Sequence, residues 1–345
     1  MWCFWASDAW SCESFPTPPQ GPGEVVLAIK ASGMCGSDLK FYRARGGAAA
    51  LGLRGGEGPV IAGHEPCGVV VAVGPGVSEA QARPGQRVMV HHYQGCGVCN
   101  HCRSGWTQLC REGAVVYGAT GHGAHAPYMK VPASTLVPLP DALSFAAGAA
   151  ISCGTGTAYG ALRRLRLSGH DTLAIFGQGP VGLSATLLAK AMGARVIAVD
   201  ISDERLGLAA SFGADVTLNP QQVDPVAAIK DLTHGEGADL SLDCSGTAEG
   251  RLAAVRSTRT WGTVGLVGEG GTVTLDVSQD LIRKQLTLVA SWTFSIVGQS
   301  ECARFIAERQ VPVDRLFTHH FRLEQAEEAY RLFDTQTTGK GVFLF

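Results

Sequence analysis

Two groups of residues in this chain have the types and spacing needed to hold a metal ion. Cys96, Cys99, Cys102 and Cys110 follow the spacing C-x2-C-x2-C-x7-C. Four thiolates so placed can close a tetrahedral sulfur shell on zinc and leave no position for a substrate. An iron–sulfur cluster uses the same donors, and a redox pair is a third use. The surrounding GCGVCNHCRSGWTQLC is polar and glycine-rich, so it reads as a loop stapled by an ion. The second group is dispersed: Cys35 in GMCGSD, His64 and Glu65 in AGHE, and Cys153 in ISCGTGTAY. Taken singly, a buried cysteine is an ordinary small core residue and a histidine after glycine an ordinary turn residue. As a Cys/His/Cys set they would leave zinc one free position, which is what a Lewis-acid catalyst needs. The chain has 11 cysteines. An odd number with four clustered reads as metal binding in a reducing compartment, hence a cytoplasmic location, more than as a disulfide framework.

A third set suits a dinucleotide. Gly177-Gln178-Gly179-Pro180-Val181-Gly182 fits G-x-G-x-x-G, follows a β-run and opens a helical stretch. The first glycine permits a tight turn, the second lets backbone approach a pyrophosphate, and the third lets helix pack on strand. Helix-end N–H groups would face the phosphates, and Pro180 suits a first helical turn because its missing N–H costs nothing there. Asp200 ends the next β-run. A carboxylate there accepts hydrogen bonds from a ribose 2′-OH and repels a 2′-phosphate, which favours NAD over NADP. Arg205 lies just beyond it, as an adenine-stacking or surface residue, and leaves room for NADP.

These residues need elements to hold them. Residues 24–150 show short β-runs between Gly/Pro punctuation: EVVLAIKA (24–31), CGVVVAVG (67–74) and QRVMVHH (86–92). From 172 the pattern alternates, with TLAIF, ARVIAV, DVTL, ADLSLD, GTVGLV and LTLVAS separated by helical stretches. Six such runs predict a doubly wound parallel sheet. Two amphipathic helical stretches, near 299–310 and 323–334, precede a last β-run, GVFLF (341–345). A length of 345 residues fits about two domains. Charged residues make up only 17%, which excludes a solvated disordered chain, and a formal net charge of -2 argues against a nucleic-acid binder. No apolar run is long enough to span a membrane, and MWCFWASDAWSCESFP has neither the basic start nor the apolar core of a signal peptide.

The chain resembles the zinc-dependent medium-chain alcohol dehydrogenases from about Pro22 to Phe345. The resemblance rests on GMCGSDLK, AGHEPCGVVVAVG, the four-cysteine loop, ISCGTGTAYGAL, GQGPVG and VIAVD, all in the family's order. It implies an α/β protein with a GroES-like β-barrel catalytic domain from residues 1–153 and 294–345, a structural-zinc loop at 95–111, and a Rossmann NAD-binding domain at 154–293. It implies two zinc ions per chain and NAD. Cys35, His64 and Cys153 match the ligands of catalytic zinc, and Glu65 matches the acidic neighbour that can approach the metal during ligand exchange. Asp38 matches the carboxylate that orients the ligand histidine, and Ser37 the hydroxyl that relays the substrate proton. Thr157, Val267 and Trp292 fall among the cofactor-side positions, with Trp292 expected chiefly to pack. His92 and Tyr93 fall where the substrate pocket begins, and their polarity suits a secondary or polyol-like alcohol. The implied partners are a small alcohol or carbonyl substrate and further copies of the chain, as a dimer or tetramer. Two departures stand out. Lys40 occupies the place of a relay histidine, where a protonated lysine is a poor base. The first residues also lack the alternating strand expected there. An NADP-dependent carbonyl reductase of the same superfamily is the alternative, and a non-enzymatic zinc- and nucleotide-binding protein a more distant one.

Overall fold

The computed structural model describes residues 2–5, 10–13, 19–43, 60–336 and 339–345. They form two compact units. One takes the described residues up to Gly156 together with Ser295–Gln336 and Lys340–Phe345, and the other is Thr157–Phe294.

The first unit is built on a seven-stranded sheet. Its order is Leu136–Pro138, Arg87–Val90, Glu65–Val73, Glu24–Gly33, Lys340–Leu344 and Phe317–Phe321, and Tyr128–Pro132 also pairs with Glu24–Gly33. The central strand is EVVLAIKASG, and its inward Val25, Leu27 and Ile29 pack with Val70, Val88, Val90 and Met129. A second core holds Met34, Leu39, Ala62, Tyr330 and Phe343. Leu39 lies on the helix Gly36–Arg43, so this core anchors the element carrying Ser37 and Asp38. The chain therefore returns at its C-terminal end to complete the unit: Lys340–Leu344 pairs antiparallel with the end of Glu24–Gly33, two residues before Cys35.

Where the sequence suggests no strand at the N-terminus, Trp2–Trp5 and Trp10–Glu13 pair as an antiparallel hairpin, and the first also pairs with Val60–Ile61. Residues such as Trp and Phe favour pleated backbone even without strict alternation, and strand pairing supplies what the pattern lacks.

The second unit is a six-stranded parallel sheet in the order Val216–Leu218, Arg195–Val199, Thr172–Phe176, Ala238–Asp243, Thr258–Leu266, Thr287–Ala290. In chain order this is 3-2-1-4-5-6, the doubly wound arrangement whose ligand crevice lies outside the carboxyl ends of the strands. Continuous apolar runs such as TLAIF and RVIAV suit strands covered on both faces. The helix Pro180–Ala191 starts directly after the first strand, with Gly179 as its N-cap and Pro180 in its first turn.

Steric crowding assigns different roles to the glycines of that turn. Gly177 has φ 91, and a Cβ on Gly182 would sit 1.8 Å from the Gly177 carbonyl oxygen, whereas a Cβ on Gly179 would meet nothing within 4 Å. Gly182→Ala is expected to lower stability by about 2 kcal/mol through overpacking. Gly179→Ala should cost under about 1 kcal/mol, an N-cap effect. Denaturant unfolding of both variants measures the difference.

Candidate active site

The first unit brings the dispersed donors together. One donor atom each from Cys35, His64, Glu65 and Cys153 lies within 4.8 Å of the others, and all four residues are buried. Each arrives by a different local device. Cys35 follows the central strand and precedes the helix Gly36–Arg43, and Asp38 in that helix's first turn accepts the Cys35 N–H at 2.8 Å. His64 follows Gly63, whose φ of 87 suits glycine; a Cβ there would also meet the His125 ring at 2.3 Å. Cys153 lies between the helices Phe145–Ile151 and Gly154–Arg164.

The geometry fixes how these groups can act. The sulfurs of Cys35 and Cys153 are 3.9 Å apart. Two corners of a tetrahedron with zinc–sulfur bonds of about 2.3 Å would lie about 3.8 Å apart, so this donor set fits zinc. His64 Nδ1 is 2.7 Å from Asp38 Oδ1. A proton held on Nδ1 by that carboxylate leaves the Nε2 lone pair for a metal. Ser37 Oγ lies 3.2 Å from the same Nε2, placing a hydroxyl beside the metal-binding face. The hydrogen bond with Cys153 holds the Cys35 thiol well below the ordinary thiol range, against burial and with help from His64 and Lys340. Burial works against a charged His64, but the Asp38 carboxylate outweighs it and holds the imidazole well above its usual value. Lys40 is exposed.

His92 lies beside this cluster, and the Tyr93 ring centroid is 4.2 Å from that of His92. His92 Nδ1 is 2.7 Å from the Ser152 carbonyl oxygen, and its ring centroid is 5.2 Å from that of His64. Burial, followed by the charges of His64 and His91, drives His92 well below the usual imidazole range.

The four-cysteine loop is a separate centre. Its base is clamped by antiparallel pairing of Tyr93–Gln94 with Val115–Val116. Cys96, Cys99, Cys102 and Cys110 offer sulfurs all within 4.8 Å of one another. Backbone N–H groups of Cys96 and Cys99 donate to the sulfurs of Cys110 and Cys96 at 3.2 and 3.4 Å. A Cβ on Gly95 would sit 2.4 Å from Cys102 Sγ, so the cage closes against bare backbone. Four sulfurs and no other donor suit a closed zinc shell.

In the second unit, Asp200 stands beside the glycine turn. Its Oδ2 accepts the Gln178 N–H at 2.5 Å and its Oδ1 the Ser202 N–H at 2.9 Å. The turn thus holds the carboxylate next to the backbone that a pyrophosphate would approach. Val181 is half-buried. Arg205 lies in the first turns of the helix Asp203–Ser211, and its buried Nε has no hydrogen-bond partner among the described residues. Thr157 is buried, and the Val267 N–H is bonded to the Asp243 carbonyl. Trp292 is 48% exposed.

One site residue was missed. Lys340, which opens the last strand, is buried with Nζ 2.7 Å from Glu65 Oε1. Burial opposes its charge, but Glu65 and then Cys35 outweigh it and hold the ammonium above its ordinary value. The available signal was a lone cation heading an apolar run, GVFLF, where a solvated end is the ordinary reading.

Comparison with known proteins agrees with this architecture. Residues 21–141 match the alcohol dehydrogenase GroES-like domain, and residues 180–309 match the zinc-binding dehydrogenase domain. An uncharacterized zinc-type alcohol dehydrogenase-like protein, YphC of Escherichia coli K12, is 42% identical over 96% of this chain and 93% of its own. The L-threonine 3-dehydrogenase of Pyrococcus horikoshii is 32% identical over 95% of this chain and 92% of its own. Sorbitol dehydrogenase 1 of Saccharomyces cerevisiae is 32% identical over 92% and 89%. Among solved structures, alcohol dehydrogenase TADH from Thermus sp. ATN1 superposes with TM-score 0.88 at 29% identity, covering 99% of each chain. Two others at 25% identity were solved with different cofactors. An Escherichia coli CFT073 alcohol dehydrogenase carries NADH (TM-score 0.88, 100% of this chain and 98% of its own), and a Sinorhizobium meliloti zinc-binding dehydrogenase carries NADP (TM-score 0.87, with the same coverage).

The protein is an α/β oxidoreductase with a GroES-like domain and a Rossmann domain. It belongs to the zinc-dependent medium-chain dehydrogenase/reductase family, among the zinc-type alcohol dehydrogenases.

Because Asp38 holds the His64 ring, Asp38→Asn is expected to weaken zinc at the three-donor site by about 10- to 100-fold. The cysteine loop should be unaffected. Competition with a chromogenic chelator resolves the two sites.

Proposed function

We propose that the protein oxidises a secondary or polyol-like alcohol to the corresponding carbonyl compound, reversibly, with NAD as cofactor and two zinc ions per chain. Cys35, His64 and Cys153 hold the catalytic ion, and Cys96, Cys99, Cys102 and Cys110 the structural one. The observation that carries the reading is a set of three buried donors with a hydroxyl, Ser37 Oγ, 3.2 Å from the donor nitrogen of His64. When bound, zinc supplies a Lewis acid for the substrate oxygen, and the nicotinamide supplies a hydride acceptor.

The chain's own residues do the rest. Asp38 keeps His64 in the tautomer that presents Nε2. Ser37 takes the proton leaving the alcohol hydroxyl at Oγ and releases its own proton toward solvent. Lys40 lies exposed on the same helix, and the relay is assigned to Ser37 in its place. Burial of Cys35, His64 and Cys153 keeps bulk water from competing with the substrate. His92 and Tyr93 give the substrate side a polar wall that favours hydroxylated substrates over long alkyl chains, and the names of the threonine and sorbitol dehydrogenases point the same way. Gly177, Gly179, Pro180, Val181 and Gly182 receive the pyrophosphate, Asp200 the adenosine ribose, and Thr157, Val267 and Trp292 serve the cofactor side. We place the protein in the cytoplasm as a homo-oligomer. NADP is the second reading, favoured by the unpartnered Arg205 Nε.

A panel of polyols, secondary alcohols and long primary alcohols, each with NAD and with NADP, tests the proposal by nicotinamide absorbance. Turnover of hydroxylated substrates with NAD, abolished by chelation and restored by zinc, is the expected result. A tenfold preference for long primary alcohols would reject the substrate class, and faster turnover with NADP would reject the cofactor assignment. Ser37→Ala is expected to lower kcat by about 100-fold or more while the zinc content stays at two.

A further inference from the structure

A buried ion pair in the second unit joins Asp243 to Arg251. Asp243 ends the strand Ala238–Asp243, and Arg251 lies in the first turn of the helix Ala248–Ser257. Asp243 is 0% exposed and Arg251 9%. Arg251 Nε donates to Asp243 Oδ2 at 3.1 Å, and its Nη2 donates to the Gly268 carbonyl oxygen at 2.6 Å. Asp243 Oδ1 accepts the Ser245 N–H at 2.9 Å, the Ser245 hydroxyl at 2.6 Å and the Gly246 N–H at 3.2 Å. The Asp243 carbonyl oxygen accepts the N–H groups of Val267 and Gly268 at 3.0 and 2.9 Å. One acid and its cation therefore fasten two loops, the one after Ala238–Asp243 and the one after Thr258–Leu266.

Both loops leave the carboxyl ends of their strands, the side on which a doubly wound sheet takes its ligand. Such a sheet has two halves, each suited to one mononucleotide of a dinucleotide. The glycine turn after Thr172–Phe176 and Asp200 are read as the adenosine side, so the loops after Ala238–Asp243 and Thr258–Leu266 fall to the nicotinamide side. They are seated against the turn and against each other. Cys244 N–H donates to the Phe176 carbonyl at 2.8 Å, and a Cβ on Gly177 would sit 2.8 Å from the Ser245 nitrogen. A Cβ on Gly268 would sit 2.2 Å from the Gly246 nitrogen, so the two loops touch backbone to backbone. Gly246, Gly268, Gly270 and Gly271 leave these loops few side chains of their own to pack, and bonds to the ion pair set their shape instead. Those bonds are charge-assisted, and a rigid guanidinium fork reaches acceptors on both loops at once.

We infer that Asp243 and Arg251 are positioning residues for the cofactor, whose ion pair holds the loops at 244–246 and 267–268 in the shape that receives the nicotinamide half. This rests on the reading of the second unit as a dinucleotide site. Both residues act through the backbone of Ser245, Gly246 and Gly268. Loops already in shape lose less freedom when the cofactor binds, so the pair acts on affinity for the whole dinucleotide. The adenosine half, held by the glycine turn and Asp200, does not depend on it.

The test measures binding to the full-length protein without turnover, NADH by its fluorescence and AMP by calorimetry. Arg251→Lys keeps the positive charge but cannot bond Asp243 and the Gly268 carbonyl together. It is expected to raise the Kd for NADH about tenfold or more, the effect of one lost hydrogen bond to a charged group, while the Kd for AMP stays within about twofold. Asp243→Asn retains Oδ1 for Ser245 and Gly246 but loses the charge that faces Arg251, and it should show the same split. If Arg251→Lys leaves both constants unchanged, the pair serves the fold alone and the inference is overturned. If it weakens NADH and AMP equally, the pair acts on the whole unit, and the inference is again overturned. If Arg251→Lys fails to fold, Asp243→Asn decides by the same comparison. If the unaltered protein binds neither NADH nor NADPH, the cofactor reading itself has failed and takes this inference with it.

Discussion

The candidate site depends on one constraint: donors far apart in the chain, Cys35, His64, Glu65 and Cys153, must be held around a common point. The two donor clusters show the contrast. Cys96, Cys99, Cys102 and Cys110 come from one loop, clamped at its base by a two-stranded ladder, and their four sulfurs surround one another. Such a cage needs no long-range folding beyond its own turn. Cys35, His64 and Cys153 come from a strand end, a glycine turn and a helix junction. They meet only when the sheet, including its C-terminal strand, has assembled.

That dependence explains why the C-terminal segment belongs to the first unit. Lys340–Leu344 pairs with the end of the strand that delivers Cys35, and Lys340 reaches Glu65 and the Met34 carbonyl from there. The Asp38–His64 bond acts in the same sense on the imidazole. Asp38 bonds the Cys35 N–H with one oxygen and His64 with the other, so one carboxylate orients two donors. Charge is placed to orient the donors.

Much of this could be read from the amino-acid order, and what could not has a physical reason. The apolar runs Thr172–Phe176, Arg195–Val199 and Ala238–Asp243 of the second unit coincide with strands because each is covered on both faces and needs no partner information to be recognised. The cysteine loop is legible because its donors are contiguous. The dispersed donors are individually ordinary residues, and only the family resemblance suggested that they meet. Lys340 was invisible because its meaning lies in a pairing with a residue at the other end of the chain. The N-terminal strands were missed because the pattern there lacks alternation, and the pairing with Val60–Ile61 is not local.

The most direct measurement of the central claim is zinc-edge X-ray absorption combined with anomalous diffraction on the isolated protein. The account predicts two ions per chain. One is ringed by four sulfurs; the other is bound by the sulfurs of Cys35 and Cys153, the Nε2 of His64 and one oxygen that belongs to water or substrate. No ion at the second position after zinc loading, or an ion there not bound by Cys35, His64 and Cys153, would contradict it.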